Sequence, residues 1–202
     1  MICILDYGSG NVRSVFTLLN SLKVSVVVSN KKEDILTASH LILPGVGAFG
    51  AAMEKIRHLI PLAVLEEAVR VKRTPFLGIC VGMQVLADKG YEFGEHHGLG
   101  WIPGVVRKME VGEFPLPHIG WNNIEKEREH PLLHGLGERE DFYFVHSFAF
   151  SGVPAKSVIA RTDYGGKFIS VVAQDNILGV QFHPEKSQRA GARLLKNFLA
   201  LV

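Results

Sequence analysis

One decapeptide, Pro75-Phe-Leu-Gly-Ile-Cys80-Val-Gly-Met-Gln84, constrains this chain more than any other stretch. It opens with an apolar run, Phe76 to Ile79, that suits a buried strand. It then passes through Gly78-Ile-Cys80-Val-Gly82 into a run with helical character, Met83 to Asp88. Glycine, any residue, nucleophile, any residue, glycine between strand and helix is the pattern of a nucleophile elbow, with cysteine where hydrolases often carry serine. A sharp strand-to-helix turn brings backbones close together and strains its central residue, so side chains at Gly78 and Gly82 would clash. Such a turn lifts Cys80 to the carboxyl edge of a sheet and sets it at a helix start, where the macrodipole favours thiolate over thiol. The N–H of Val81 then points to where an oxyanion would form. The competing reading is an inert buried cysteine, a common fate of free thiols. The flanking glycines and the strand–turn–helix context weigh against it, and a base must be found elsewhere in the chain.

Around the elbow, apolar strands and helical stretches alternate. Residues 2–5 read as a strand ending at Asp6, and Val12, Val15, Phe16, Leu18, Leu19 and Leu22 recur at helical spacing. Val24 to Val28 is a second strand, Lys31 to Ala38 a short helix or turn, and Leu41 to Pro44 a third strand. A helical stretch then runs from Ala51 to about Val71, with a break expected at Pro61. Continuously apolar strands alternating with helices predict an α/β fold with a mostly parallel central sheet covered by helices on both faces. Past Gly90 the texture turns rich in glycine, proline, histidine and aromatics. Expected strands there are Val105–Met109, Ile119–Ile124, Phe142–Phe150, Ser157–Ala160, Lys167–Ala173 and Ile177–Phe182. A last helix, Ser187–Leu199, has Ser187 as its N-cap. The expectation is one domain over residues 1–202 with a β-rich second half; whether that half joins the first sheet is open.

A net charge of +2 without a long basic run gives no nucleic-acid surface. Two cysteines, Cys3 and Cys80, do not make a disulfide framework and point to a reducing compartment. The chain shows neither the basic and apolar regions of a signal peptide nor a stretch of about 18 apolar residues to span a membrane. The expectation is a soluble cytoplasmic protein.

The second informative stretch is Gly179-Val-Gln-Phe-His183-Pro-Glu185-Lys-Ser187. A strand ends in His-Pro-Glu, and if that end stays extended His183 and Glu185 face the same side. A cysteine hydrolase needs a base to take the thiol proton and return it to the leaving amine, and a carboxylate to hold the imidazole in the useful tautomer. Cys80, His183 and Glu185 supply these parts. Gly45-Val-Gly47-Ala-Phe-Gly50 formally matches a dinucleotide fingerprint. It follows the third strand, and the glutamates at the required spacing, Glu66 and Glu67, fall inside a helix. The other readings are a glycine-rich strand end whose N–H groups face Cys80, and a plain tight turn. His96, His97, His130 and His134 have no metal-ligand company.

The elbow together with His183-Pro-Glu185 resembles the class I, triad-bearing glutamine amidotransferases. Asp6-Tyr-Gly-Ser-Gly-Asn11, Leu43-Pro-Gly-Val-Gly47, Pro117-His-Ile-Gly-Trp-Asn122, Tyr143-Phe-Val-His-Ser147 and Val180-Gln-Phe-His-Pro-Glu-Lys-Ser187 narrow the resemblance to the glutaminase subunits of imidazole glycerol phosphate synthases. It runs nearly end to end.

The resemblance implies that Cys80 attacks the side-chain amide of glutamine while His183, oriented by Glu185, shuttles the proton. Val81, Val46 and Gly47 would serve the oxyanion. Gln84, a carboxylate that is Glu92 or else Glu95, and the backbone of His146, Ser147 and Phe148 would bind glutamine. Asn11, Trp121, Asn122, Tyr143 and Lys186 match segments that face a (β/α)₈ cyclase partner in a heterodimer, to which ammonia passes for histidine biosynthesis. No metal or organic cofactor is implied. Such subunits hydrolyse glutamine poorly until the partner engages, and a turning Pro44-Gly-Val-Gly47 strand would be a physical switch. Two other functions remain open: a paralogue supplying ammonia for nucleotide-sugar amidation in surface polysaccharide synthesis, and a non-catalytic dinucleotide-binding module built on Gly45 to Gly50.

Overall fold

Each of the first three strands is short and apolar, and each is followed by a helix that buries one stripe against the strands. The result is a run of β–α units: β1 (Ile2–Ile4), α1 (Val12–Ser21), β2 (Val26–Val28), α2 (Lys32–Thr37), β3 (His40–Gly45), α3 (Phe49–Leu59) and α4 (Leu62–Glu66). Pro61 sits between α3 and α4, where the ring removes a donor and ends the first helix. A π-helical turn, Glu67–Val71, leads to β4 (Phe76–Cys80) and the one-turn helix α5 (Val81–Gln84). The second half contributes β5 (Lys89–Gly90), β6 (His96–His97), β7 (Val105–Lys108), β8 (His118–Lys126), β9 (Glu140–His146), β10 (Phe148–Ser151), β11 (Val158–Asp163), β12 (Lys167–Gln174), β13 (Ile177–Val180) and α6 (Gln188–Leu199). These elements come from a computed structural model that describes residues 1–201. Residue 202, the last of the expected domain, lies outside the described residues.

Nine strands form one sheet in the order β2-β1-β3-β4-β13-β12-β11-β8-β9. The first five are parallel: β1 pairs with β2 and β3, and β4 with β3 and β13. Every residue of β1, β3, β4 and β13 is buried. Both sheet faces are therefore covered there, as continuous apolar strands require. From β13 to β9 the pairing turns antiparallel. The second half thus joins the first in a mixed sheet whose core is parallel. A smaller sheet, β10-β7-β5-β6, stands apart from it.

Three local expectations are corrected. The stretch Phe142–Phe150 is two strands. His146 pairs with His118 in the large sheet, whereas Phe148 pairs with Lys108 in the small one. The chain changes sheets at Ser147, whose carbonyl accepts the Met109 N–H at 2.9 Å. Helix α5 stops at Gln84. Val85, Leu86 and Ala87 are fully buried, and their carbonyls accept N–H groups from Leu99, Gly100, Trp101 and Ile102. An apolar run of helical appearance is here a buried crosslink to the next loop. Ser187 precedes α6 without capping it through its side chain, for a reason that lies in the site.

Candidate active site

The parallel registry β3–β4–β13 brings the strand ends together. Gly45 stands opposite Cys80, and Ile79 opposite Val180. At Cys80 the chain turns with φ 54° and ψ −112°, a strained conformation for a residue with a side chain, and continues into α5. Gly82 makes the turn possible: a Cβ there would lie 1.8 Å from the Leu43 carbonyl oxygen. Cys80 is 3% exposed, yet lines a cavity of about 180 Å³. That volume is on the scale of a single small ligand and below the roughly 300–1,000 Å³ common for drug-sized ligands.

Beyond β13, Gln181 and Phe182 carry the chain to His183, and Pro184–Lys186 forms a 3₁₀ turn. The extended geometry expected for His-Pro-Glu is absent. The turn nonetheless folds Glu185 back so that His183 Nδ1 lies 2.8 Å from its Oε1. The backbone is tied to β9: the His183 N–H donates to the Tyr143 carbonyl at 2.9 Å. Ser187 Oγ donates to the His183 carbonyl at 2.6 Å and accepts the Tyr143 N–H at 3.0 Å. Ser187 is thus spent on holding the imidazole's backbone, which is why it does not cap α6. Asn11 Nδ2 donates to the same Glu185 Oε1 at 2.9 Å. The Glu185 side chain is fully buried, and its Oε2 has no hydrogen-bond partner among the described residues.

Burial works against a charged His183, but hydrogen bonds to Cys80 and Glu185 and the charges of both override it, pushing the imidazole up to about 10. The imidazole is thus favoured in its charged form, with a sulfur and a carboxylate as its neighbours. Cys3 is the contrast. Burial, with Asp34 nearby, pushes its thiol up to about 11, and its Sγ donates to the Ser29 carbonyl. It is a core residue.

The cavity is lined by Asn11, Val46, Gly47, Val81, Gln84, Glu92, Val145, His146, Ser147, Phe148 and Lys186 together with Cys80 and His183. The strand change at Ser147 opens the main chain of β9 and β10 toward it. Gln84 spends both amide hydrogens, on the Phe148 carbonyl at 2.9 Å and on Gln181 Oε1 at 3.1 Å. What it keeps for a ligand is its carbonyl oxygen. Glu92 reaches the cavity while accepting the Phe49 N–H at 2.9 Å. Glu95 is instead half exposed and paired with Lys89 at 2.6 Å. Of the two carboxylates, only Glu92 is at the site. Gly47 has φ 94°, open to glycine and strained for other residues, and half-exposed Val46 precedes it at the rim.

A dinucleotide reading of Gly45 to Gly50 finds no room. The first N–H of α3, where a pyrophosphate would sit, is taken by Glu92, and a Cβ at Gly50 would lie 2.6 Å from the His96 ring. Among the described residues no cluster of three His, Cys, Asp or Glu is arranged to hold a metal ion, and no helix is long and apolar enough to cross a membrane.

His118 and His146 form a relay rather than an acid–base pair. Burial holds both down, to about 4 and about 3. His146 Nδ1 donates to the Phe148 carbonyl and its Nε2 accepts from His118 Nδ1 at 3.2 Å. His118 Nε2 faces Asn122 Nδ2 at 3.4 Å. Asn122 also donates to the Asp163 carbonyl. It therefore braces the sheet rather than entering the cavity. Trp121 and Ile119 point outward from β8, 49% and 59% exposed, and Trp121 meets the Tyr143 ring edge-on at 6.0 Å. Lys186 Nζ lies 5.5 Å above the Tyr143 ring. Lys186 and Asn11 stand where this outer face meets the cavity. Sequence reasoning missed Val145 in the cavity wall and Gln181, which stands behind the wall against Cys80. The parallel registry that sets Gln181 beside Cys80 is a property of the fold.

The glutamine amidotransferase class-I family model matches residues 3–202. The imidazole glycerol phosphate synthase subunit HisH of Salinibacter ruber is 47% identical, over all of this chain and 94% of that one. Subunit HisH 2 of Pseudomonas aeruginosa is 43% identical over the full length of both. A solved glutamine amidotransferase superposes with a TM-score of 0.73 at 24% identity, covering 98% of this chain and 96% of that one, which is a likeness of fold.

Proposed function

The chain belongs to the class I glutamine amidotransferase family, and on that premise we propose that it is the glutaminase subunit of an imidazole glycerol phosphate synthase, acting in histidine biosynthesis through Cys80, His183 and Glu185. The single observation that carries the chemistry is that Cys80 and His183 line the same small cavity, with the Glu185 carboxylate 2.8 Å from His183 Nδ1 behind it.

In this reading Cys80 Sγ attacks the glutamine side-chain carbonyl. The oxyanion is met by the Val81 N–H and by the loop at Val46 and Gly47, where loss of one donor costs roughly 10²–10³ in rate. The raised pKa favours His183 as imidazolium, able to protonate the departing amide nitrogen, which leaves as ammonia. Once the thioester forms, the thiolate charge is gone, and with it one support of the raised imidazole. Burial then counts for more, and His183, having given up its proton, stays neutral and free to take one from the water that releases glutamate. Glu185 holds the tautomer throughout. Gln84, Glu92 and the backbone at His146-Ser147-Phe148 bind the amino acid. The partner is a (β/α)₈ cyclase. Trp121 and Tyr143, with Ile119, mark the apolar part of the face it covers, and Lys186 and Asn11 its polar edge at the cavity; Asn122, turned to the other side of β8, supports that face through its bond to the Asp163 carbonyl. The synthase names of the full-length relatives favour this acceptor over nucleotide-sugar amidation. All of this rests on one domain.

Cys80→Ala is the test. Glutamine-dependent synthesis should fall on the order of 10⁵–10⁶-fold, as when a nucleophile is removed, while synthesis from ammonium salts with the cyclase persists. Equal loss of both would sink the assignment. Glutaminase turnover should rise steeply when the cyclase and its nucleotide ligand are added.

A further inference from the structure

Gln181 is fully buried and forms no part of the cavity wall, yet its amide ends at the reactive sulfur. Its Nε2 stands 3.6 Å from Cys80 Sγ, an ordinary separation for a sulfur acceptor. The orientation of that amide is fixed from outside. The Phe148 carbonyl can only accept, so Gln84 must present its NH₂ to it at 2.9 Å. The same NH₂ donates to Gln181 Oε1 at 3.1 Å. With its oxygen so engaged, Gln181 has only its NH₂ to turn toward the sulfur. Backbone registry holds the pair together: Ile79 pairs with Val180, Cys80 and Gln181 follow side by side, and the Gln181 N–H is anchored to the Ser170 carbonyl at 2.9 Å.

We infer that Gln181 is a positioning residue for the reactive sulfur, its oriented amide N–H stabilising the thiolate and fixing the direction from which Cys80 attacks. The inference rests on the reading of Cys80 as nucleophile. A thiol has a weaker claim on this amide: as a donor its nearest acceptor is the Val145 carbonyl, at 3.9 Å. The arrangement therefore discriminates between the two protonation states. A neutral amide suits the place because it donates without titrating, so it supports the thiolate without competing with His183 for the proton. The titratable groups that surround the sulfur are His183 with Glu185 behind it, Tyr7 from the loop after β1, and, around the same cavity, Glu92, His146 and Lys186. Lys186 Nζ lies over the Tyr143 ring and burial holds His146 neutral, which leaves His183 as the cationic partner of the sulfur, and His183 must turn from it to serve the departing nitrogen. Gln181 has no such second task.

The test compares Gln181→Met, which keeps volume and removes the donor, with Gln181→Leu and the wild-type chain. The pH dependence of Cys80 alkylation by iodoacetamide reports the thiolate directly. The expected result is a midpoint raised by roughly one to two pH units, the scale of a lost hydrogen bond to a charged group. A fall in kcat of about 10–100-fold should accompany it, with KM for glutamine within about threefold. A midpoint displaced by less than about half a unit overturns the inference. So does a rise in KM alone, which would make Gln181 a prop for Gln84. Should neither variant fold, the wild type decides by NMR. The Gln181 side-chain amide signals, assigned through bonds from the Gln181 backbone, must move as the thiol titrates in the wild type and not in Cys80→Ser; signals that stay put in the wild type overturn the inference. The alkylation readout is independent of turnover, so a wild-type complex that fails to hydrolyse glutamine would remove the glutaminase reading and leave this result standing.

Discussion

The two halves of the large sheet meet at β13 and behave differently. On the parallel side, β1, β3 and β4 are buried along their whole length and contribute their carboxyl ends. On the antiparallel side, β8 and β9 bury one face and expose the other, where Ile119 and Trp121 stand in solvent. The chemistry divides along the same line. The parallel half supplies Cys80, the proposed nucleophile, on an elbow where a Cβ at Gly82 would meet the Leu43 carbonyl. The antiparallel half supplies the Tyr143 carbonyl that anchors His183, the main chain of His146-Ser147-Phe148, and a surface free to meet another protein. In the proposed function, rigidity and recognition thus fall to different strand arrangements, and Cys80, His183 and Glu185 come together at their seam.

The largest effect expected from breaking this seam is that of Glu185→Gln. Removing the carboxylate costs the imidazole its tautomer, and kcat should fall by roughly 10³–10⁴. The imidazole should titrate well below about 10, as followed by NMR. The sign for stability follows from the raised value. His183 contributes fully below its ordinary value of 6.5, and the contribution is lost as pH rises through about 10. In the variant that window should narrow from above, which urea midpoints measured across the range would reveal. An unchanged imidazole titration would argue that Glu185 does not hold His183.

Gly82→Ala strikes the rigid half. A methyl group 1.8 Å from the Leu43 oxygen forces β3 and the elbow apart. The loss should be about 1–3 kcal/mol in unfolding free energy, the range for overpacking, with glutaminase activity lost more completely than stability. A variant of wild-type stability would show that the elbow has slack.

Glu92→Gln and Glu95→Gln sharpen the comparison on the binding side. KM for glutamine should rise about tenfold or more in the first, through loss of a charged partner, and stay within about twofold in the second. Equal effects would place the glutamine site elsewhere.

Trp121→Ala should be the mildest. Its ring is half exposed, so folding stability should change by less than about 0.5 kcal/mol. Affinity for the cyclase should fall by 1–2 kcal/mol or more by calorimetry, as for a buried aromatic anchor. Unchanged affinity would move the docking face away from β8 and β9.

Much of this site was legible before any coordinates. The glycines around Cys80 and the His-Pro-Glu run announce themselves because their chemistry demands those residue types at short spacing. Glu185 was paired with His183 for the right chemical reason and the wrong backbone geometry: a 3₁₀ turn does what an extended end was expected to do. The break at Ser147 was invisible, since Phe142 to Phe150 is apolar and aromatic throughout. Only the competing partners, His118 in one sheet and Lys108 in the other, split it. The halt of α5 at Gln84 was equally hidden, because carbonyls taken by a distant loop leave no local mark.

What the linear chain determined by itself was the inventory: a strained cysteine turn, an imidazole with its carboxylate, buried parallel strands. These follow from short-range sterics and local chemistry, which a few neighbouring residues suffice to express. What only the tertiary structure decided was adjacency. The registry of β4 with β13 puts Gln181 against the sulfur, and the anchoring of His183 on β9 aims the imidazole. Glu92, rather than Glu95, turns inward because the start of α3 offers it an N–H. Such choices are settled by hydrogen-bonding groups far apart in sequence, each satisfied in only one arrangement of the whole.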